Sequence, residues 1–122
     1  MGTGTGGRSN LYIHNDAGIT IVEFMQVRML DDTNINIMAA ELFALVDKTL
    51  DLRIVIDFSN IQYMSSVVLG KIIEMHKRIT KRKGKLKLCG IDKKIFEVFK
   101  IMKLDKIFDI HKDYKRVMKS FK

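Results

Sequence analysis

The 122-residue chain contains no proline and a single cysteine, Cys89. One cysteine cannot form an internal disulfide, which fits a protein of the reducing cytoplasm. No stretch approaches the roughly 20 continuous apolar residues that a membrane-spanning helix requires. The first ten residues also lack the apolar region of a secretory signal. These absences predict a cytoplasmic protein that has no membrane partner.

The sequence pattern contains no sign of a second domain. The sequence has no proline, no internal repeat and no second linker, so it indicates no domain boundary after the first ten residues. Residues 1–10 are rich in glycine, threonine and serine, and they predict a flexible tail that is either native or a remnant of cloning. Residues 11–122 are then expected to form one domain, and the chain as a whole, with 47% hydrophobic residues, has enough of them to build its core.

Strands and helices are predicted to alternate along this domain. Short runs rich in β-branched residues are interspersed with segments whose apolar residues recur at the helical period of 3.6. The predicted strands cover residues 11–14, 19–24, 53–58, 85–89 and 106–110; the predicted helices cover residues 33–50, the segment from Ser65-Ser66 to Gly84, 92–102 and 113–121. This order predicts an α/β fold with a mixed, largely parallel sheet of four to five strands, flanked by about four helices.

Several local features follow from this assignment. Residues 15–18 predict a hairpin turn, and residues 31–34 offer capping side chains for the first helix. Strand 53–58 should be buried on both faces, whereas alternating lysines in strand 85–89 predict one face in water. Gly84 is expected to end the second helix in the left-handed conformation. The stripes expected to face the core are Ile35, Met38, Leu42, Leu45, Val46 and Leu50 in the first helix, and Leu69, Ile72, Ile73, Ile79 and either His76 or Met75 in the second.

Positive charge is concentrated in one segment. The net charge is +8, and eight basic residues between Lys71 and Lys87 stand against one acid, Glu74. Such a run is more often the solvated face of a helix than a binding site, so we favour that interpretation. A module that binds nucleic acid or another acidic surface is the alternative from a different class. The segment has no interleaved aromatic residues for base stacking, which counts against nucleic acid as a partner.

The candidate site lies where the central strand leads into the second helix. Asp57 is expected near the carboxyl end of the strand, at the edge where open α/β sheets usually meet their ligands. Ser65 and Ser66 begin the helix, whose free N–H groups and partial positive charge tolerate a phosphate. A phosphoserine would add about −1.5 to −2 charge, enough to change how a partner docks without refolding the domain. On capping chemistry alone, however, we favour two ordinary cap residues worth about 1 kcal/mol.

Residues typical of catalytic and metal sites do not group together in the sequence. His14, His76 and His111 lie far apart with no carboxylate at metal-ligand spacing, which argues against zinc. Cys89 is more simply a small core residue than a nucleophile. No glycine-rich phosphate loop is present. The sequence therefore predicts a protein that is not an enzyme and uses no cofactor or metal.

Three segments carry a family resemblance. Residues 56–70, IDFSNIQYMSSVVLG, place an aspartate at a strand end, then a short loop, a Ser-Ser pair and a closing Leu-Gly. Residues 84–91 form a strand and turn, and residues 98–108 lead from a helix toward a last short strand. Together these segments resemble a STAS domain of the anti-anti-sigma class, the anti-sigma factor antagonists. The resemblance covers about residue 11 to the end of the chain.

The resemblance implies regulation of transcription by partner switching. In this family the unphosphorylated domain binds an anti-sigma factor, a serine kinase of the histidine-kinase ATPase type, and so releases a sigma factor. A serine phosphatase reverses the phosphorylation, and the domain is expected to be a monomer or a weak homodimer. By position Ser66 matches the phosphoacceptor, with Ser65 as the second choice. The residues implied to contact the partner are Asp57, Ser59, Asn60, Met64, Ser65 and Leu69.

Two further interpretations of this segment stay open. Ser65 replaces the aspartate usual in the motif, and Val67-Val68 replace its Ser-Gly, so a STAS scaffold that is not phosphorylated is one alternative. A receiver domain with Asp57 as phosphoacceptor ranks third. It would need an acidic pair beside Asp57 to bind magnesium, and neither Glu23 nor residues 31–32 are convincingly placed for that role.

Overall fold

The computed structural model describes residues 11–24 and 32–122; the predicted tail and the capping side chains predicted at residues 31–34 lie outside what it describes. The elements are β1 (Leu11–Asp16), β2 (Ile19–Phe24), α1 (Asp32–Lys48), β3 (Arg53–Asp57), α2 (Ser66–Lys81), β4 (Lys85–Cys89), α3 (Lys93–Ile101), a 3₁₀ turn (Leu104–Lys106), β5 (Asp109–His111) and α4 (Tyr114–Lys119). This order confirms the predicted alternation. No helix within the described ranges is long and apolar enough to cross a membrane.

The five strands form one sheet in the order β1-β2-β3-β4-β5. β1 pairs with β2 in the antiparallel direction, and the other three pairs are parallel. The hairpin turns on Ala17 and Gly18, whose φ angles of 55° and 85° are the two positive values that a tight two-residue turn needs. The mixed, largely parallel sheet is therefore confirmed, with β3 at its centre.

The core lies on both faces of the sheet. The larger hydrophobic cluster joins Val22, Ile54, Ile56, Leu86 and Leu88 of the sheet to Met38, Leu42, Ile72, Met75 and Phe99 of α1, α2 and α3. A smaller cluster on the opposite face joins Ile19, Ile21, Val55 and Cys89 to Val117 of α4. Because Ile54 and Val55 belong to different clusters, the prediction that this strand is buried on both faces is confirmed.

The prediction of a wet face on β4 is wrong. Lys87 is only 9% exposed, and Cys89 is buried. α4 and the residues after it cover this face: the Lys87 ammonium donates to the Ser120 carbonyl (3.2 Å) and hydroxyl (2.9 Å). It also lies 3.3 Å from Asp109 and 4.5 Å from the centroid of the Phe121 ring. These partners satisfy the charge, so a lysine is accommodated where the alternation predicted contact with solvent.

The first helix ends earlier than predicted. It stops at Lys48, and Leu50 is 95% exposed instead of completing the buried stripe. The Arg82 guanidinium donates to the carbonyls of Val46 and Thr49 (3.0 Å for the latter), and so satisfies acceptors at the end of the helix. Elsewhere in the two stripes, Ile35, Met38, Leu42, Val46, Leu69, Ile72, Met75 and Ile79 are buried as predicted, whereas Leu45, Ile73 and His76 are half-buried.

The second helix ends in a different way from the one expected at Gly84. Lys83, not Gly84, takes the left-handed conformation, with φ 62°. The Lys83 amide donates to the Thr80 carbonyl and the Gly84 amide to the Ile79 carbonyl, both at 2.9 Å, which is a Schellman motif. Gly84 is required for space instead, because a Cβ there would lie 2.4 Å from the Leu52 Cβ.

The last strand is shorter than predicted. It begins at Asp109 and not at residue 106, because Leu104–Lys106 form a turn of 3₁₀ helix in front of it. The neighbouring helix signals are confirmed: the Asp92 and Asp113 carboxylates cap α3 and α4 by accepting from backbone amides two and three residues later.

Candidate functional site

Two adjacent serines occupy different positions at the start of α2. Ser65 is the N-cap: its backbone is extended, and its hydroxyl accepts from the Val68 amide at 3.2 Å. Ser66 is the first helical residue and is exposed, and its hydroxyl makes no hydrogen bond to another described residue. The capping role expected for the pair therefore belongs to Ser65. The Ser66 hydroxyl is left accessible from solvent.

The loop that precedes α2 begins in a tight turn after β3. The Asp57 carboxylate accepts from both the amide (2.9 Å) and the hydroxyl of Ser59. Gly90, after β4, packs against this turn with φ 72°, and a Cβ there would lie 2.5 Å from the Ser59 hydroxyl oxygen. The turn consequently needs glycine at position 90 for both conformation and space. The sequence pattern showed Gly90 only as an isolated glycine.

Asn60 ties the same loop to the neighbouring strand. Its side-chain amide donates to the Phe24 carbonyl at the end of β2, at 3.2 Å. The Ile61 amide donates to the Phe58 carbonyl at 2.9 Å, which closes the turn locally. Asn60 thus holds the loop in place at the carboxyl edge of the sheet.

Ser66 stands at the edge of an apolar groove between α2 and α3. The groove has a volume of about 100 Å³ and is lined by Met64, Ser65, Ser66, Leu69, Ile95, Val98, Phe99 and Met102. Val98 and Met102 are 46% and 50% exposed, and Val67 beside Ser66 is 48% exposed. Leu69 is 4% exposed, so it forms part of the floor of the groove and offers little accessible surface to a partner.

The predicted partner-contact residues therefore fall into two groups. Met64, Ser65 and Leu69 line the groove with Ser66, whereas Asp57, Ser59 and Asn60 build the turn at the strand ends. The α3 half of the groove was missed by sequence reasoning. A signal was available, because α3 and its C-cap Met102 carry apolar residues at 95, 96, 98, 99, 101 and 102, more than one buried stripe can use.

The three histidines each lie beside a different side chain. His14 Nε2 forms a hydrogen bond with Glu23 at 3.0 Å, whereas His111 Nε2 lies 2.8 Å from Asp109 without the geometry of a hydrogen bond. His76 packs against the Phe108 ring, and burial lowers its pKa. Among the described residues, no three His, Cys, Asp or Glu side chains are grouped so that they could hold a metal ion.

Cys89 is a buried thiol in the smaller core cluster. Burial first, and then the negative charges of Asp57, Asp113 and Glu23, raise its pKa to about 12. A thiol with that pKa stays protonated at neutral pH and is a poor nucleophile.

The basic segment does not form one continuous cationic surface. Arg82 caps α1, and Lys87 is buried beneath α4. Arg78 pairs with Glu74 at 3.1 Å and lies 4.1 Å from the centroid of the Phe43 ring. Three of the eight basic side chains thus serve the fold, which favours a solvated face over a nucleic-acid surface.

Sequence relatives point to one family. The family model described as the STAS domain matches residues 13–117. A protein of Bordetella bronchiseptica named as the anti-sigma factor antagonist BtrV is 30% identical over 94 residues, which cover 77% of this chain and 80% of that protein.

Solved structures share the fold. An anti-sigma-factor antagonist (STAS) domain protein from Planctomyces limnophilus matches with a TM-score of 0.81 at 18% identity, covering 90% of this chain and 96% of that chain. The Bacillus cell fate determinant SpoIIAA, in its phosphorylated form, matches with a TM-score of 0.69 at 12% identity, covering 90% and 98%. Taken with the family model and the Bordetella relative, this likeness shows that the chain belongs to the STAS domain family, among the anti-sigma factor antagonists.

Proposed function

We propose that this antagonist works in the cytoplasm by partner switching controlled at Ser66. Unphosphorylated, it binds an anti-sigma factor kinase of the histidine-kinase ATPase type, so that the sigma factor is released. Phosphorylation of Ser66 ends this binding, and a serine phosphatase restores it. The domain acts by binding and not by catalysis. The observation that carries the proposal is the accessible Ser66 hydroxyl at the edge of an apolar groove.

Local electrostatics support Ser66 as a phosphoacceptor. It occupies the first position of a 16-residue helix that has no acidic residue in its first turn. The partial positive charge at a helix N-terminus favours an anion there by roughly 0.3 to 1 kcal/mol, so a phosphate is tolerated without unfolding the turn. Ser65 is the weaker candidate, because its oxygen already accepts from the Val68 amide.

The groove supports a physical mechanism for the switch. An apolar partner surface seated against Val98 and Met102 would lie beside Ser66. A phosphoryl group of about −1.5 to −2 charge at that edge would have to be desolvated when the partner docks. Phosphorylation would therefore weaken docking through a local charge, with no change of fold. The solved phosphorylated Bacillus protein, which has the same fold, is consistent with this mechanism.

The two valines after Ser66 have separate roles in this proposal. Val68 is 1% exposed and packs in the core, whereas Val67 is exposed next to the acceptor. A small residue at position 67 would leave a flatter surface. We infer that the kinase partner must accommodate the Val67 side chain, which would set its specificity for this chain.

Phosphorylation by a purified anti-sigma factor kinase of the same organism tests the proposal. With ATP, intact mass should show one added phosphoryl group, and peptide mapping should place it on Ser66. Ser66→Ala should abolish labelling, whereas the matched variant Ser65→Ala should still be labelled. Labelling of Ser66→Ala to the wild-type level would refute Ser66 as the acceptor. A stable complex with no labelling would instead favour a STAS scaffold that is not phosphorylated.

A further inference from the structure

A separate cavity of about 500 Å³ opens at the carboxyl edge of β4 and β5, between α3 and β5. It is lined by Ile91, Lys93, Phe96, Asp105, Ile110, His111 and Lys112. We propose that this cavity binds a small organic anion with an apolar, ring-sized body. The proposal does not rest on Ser66 or on partner switching, because none of these residues lines the groove described above.

The apolar side of the cavity is already built. Ile91, Phe96 and Ile110 are half-buried and pack against the main core cluster, so the core holds them in position. Ligand-binding clefts typically measure about 300 to 1,000 Å³ and combine apolar walls with a few polar groups. The cavity has both properties. It also lies at the carboxyl ends of parallel strands, where open α/β sheets bind their ligands.

The charges favour an anion. Lys93, at the start of α3, and Lys112, after β5, reach the cavity from two distant parts of the chain. Neither forms an ion pair or a hydrogen bond with another described residue. The acid that follows Lys112, Asp113, accepts from the Arg116 amide and pairs with the Arg116 guanidinium at 2.6 Å; these contacts, and to a smaller extent the charge of Lys112, lower the pKa of Asp113. Two uncommitted ammonium groups beside an apolar wall suit a carboxylate or a phosphate ester.

The remaining polar residues limit the ligand to a small charge. Asp105 is the one acid among the lining residues, so the two lysines and this acid together carry one excess positive charge. His111 is itself directed toward Asp109, at 2.8 Å. A ligand with one negative charge balances this lining, whereas a polyphosphate would meet Asp105 unfavourably.

A comparable cavity beside α4 is also lined by lysines that form no ion pair with another described residue, Lys115, Lys119 and Lys122. It measures about 570 Å³. Its Arg53 guanidinium, however, pairs with Asp51 at 2.6 Å and donates to the Gly18 carbonyl, and the Tyr114 hydroxyl donates to Asp16. Volume alone therefore does not select a site. The cavity at β4 and β5 is distinguished by its position at the carboxyl ends of parallel strands, whereas the cavity beside α4 lies at the β1-β2 turn and the start of β3.

Two matched probes test the proposal: naphthylacetate, which carries a carboxylate, and naphthylacetamide, which has the same body without the charge. Each is titrated into the isotopically labelled full chain while amide NMR shifts are followed. We expect saturable shifts in residues 91–96, 105 and 110–112. Naphthylacetate should bind about tenfold more tightly than the amide, the difference that one charge-assisted contact supplies.

Charge variants supply the control. Lys93→Gln/Lys112→Gln should lower the affinity for naphthylacetate about tenfold, to that of the amide. Lys77→Gln/Lys81→Gln removes the same charge from exposed positions on α2 and should leave both affinities unchanged. The proposal is overturned by an absence of saturable shifts, by shifts centred on the groove at Val98, or by equal affinities for the two probes. An unchanged affinity in the cavity double variant would overturn it as well.

Discussion

In the turn that ends α2, the left-handed conformation falls on Lys83 and not on the glycine that follows it. Lys83 is left-handed with φ 62°, while Gly84, which follows it, has no positive φ. A left-handed residue other than glycine costs roughly 1 to 2 kcal/mol. Replacing Lys83 by glycine removes that strain but makes the unfolded chain more flexible, which costs roughly 0.5 to 1 kcal/mol. We therefore expect Lys83→Gly to raise the free energy of unfolding by about 0.5 to 1 kcal/mol.

Gly84→Ala should have the opposite effect. The added Cβ would lie 2.4 Å from the Leu52 Cβ and 2.9 Å from both the Leu52 carbonyl oxygen and the Ile79 Cγ2. The end of α2 would have to move away from β3, and overpacking of this kind costs about 1 to 3 kcal/mol. The stiffer unfolded chain offsets roughly 0.4 to 1 kcal/mol of this cost. We expect a net loss of about 1 to 2 kcal/mol.

Urea denaturation followed by far-ultraviolet circular dichroism measures both changes. At roughly 4 °C per kcal/mol, the two variants should also melt at temperatures several degrees on either side of the wild type. Lys83→Ala loses the charge but keeps the Cβ, so it should not show the gain of Lys83→Gly. A Gly84→Ala variant as stable as the wild type, or a Lys83→Gly variant less stable than it, would refute the reasoning.

Three other predictions concern the site and the core. Ser65→Ala removes the helix cap and should lower the free energy of unfolding by about 1 kcal/mol in urea denaturation. Ser66→Ala should leave it unchanged. Equal losses in the two variants would contradict the assignment of the cap to Ser65 alone. The pKa of Cys89 is raised from 9.0 to about 12, so on raising the pH the thiol ionises first in the unfolded chain. The free energy of unfolding should therefore fall as the pH rises above 9. A free energy of unfolding that stays constant in alkaline denaturation would contradict this. Val98→Asp should weaken binding to the anti-sigma factor at least about tenfold in calorimetry. Ile107→Asp changes a residue of similar exposure (51% against 46%) outside the groove and should leave binding unchanged.

Local sequence signals predicted the elements well because they act over a few residues. The β-branched run before Asp57 and the helical periodicity after Ser66 each identify their element without reference to the rest of the chain. Asp92 and Asp113 predicted helix starts for the same reason, since a cap bonds to an amide only two or three residues away. The alternation of such elements was enough to predict a largely parallel sheet.

Features that depend on distant segments were not predictable in this way. The lysines of β4 alternate with apolar residues as they would in a strand with one solvated face, yet Lys87 is buried by Ser120 and its neighbours, 33 residues later. The end of α1 is likewise capped by a distant residue, Arg82, which reaches the Val46 carbonyl across 36 residues. No local sequence pattern indicates such long-range contacts.

At the site, the sequence by itself determined the Ser65-Ser66 helix start and, through the motif around it, the family. The sequence left open which of the two serines is committed to the cap; the structure assigns the cap to Ser65 and leaves Ser66 accessible. The tertiary structure also decided that α3 supplies half of the groove beside Ser66, through Val98 and Met102. The physical reason is that a cap is a contact between near neighbours, whereas a groove is the space left between two helices. That space depends on how both helices pack against the same sheet.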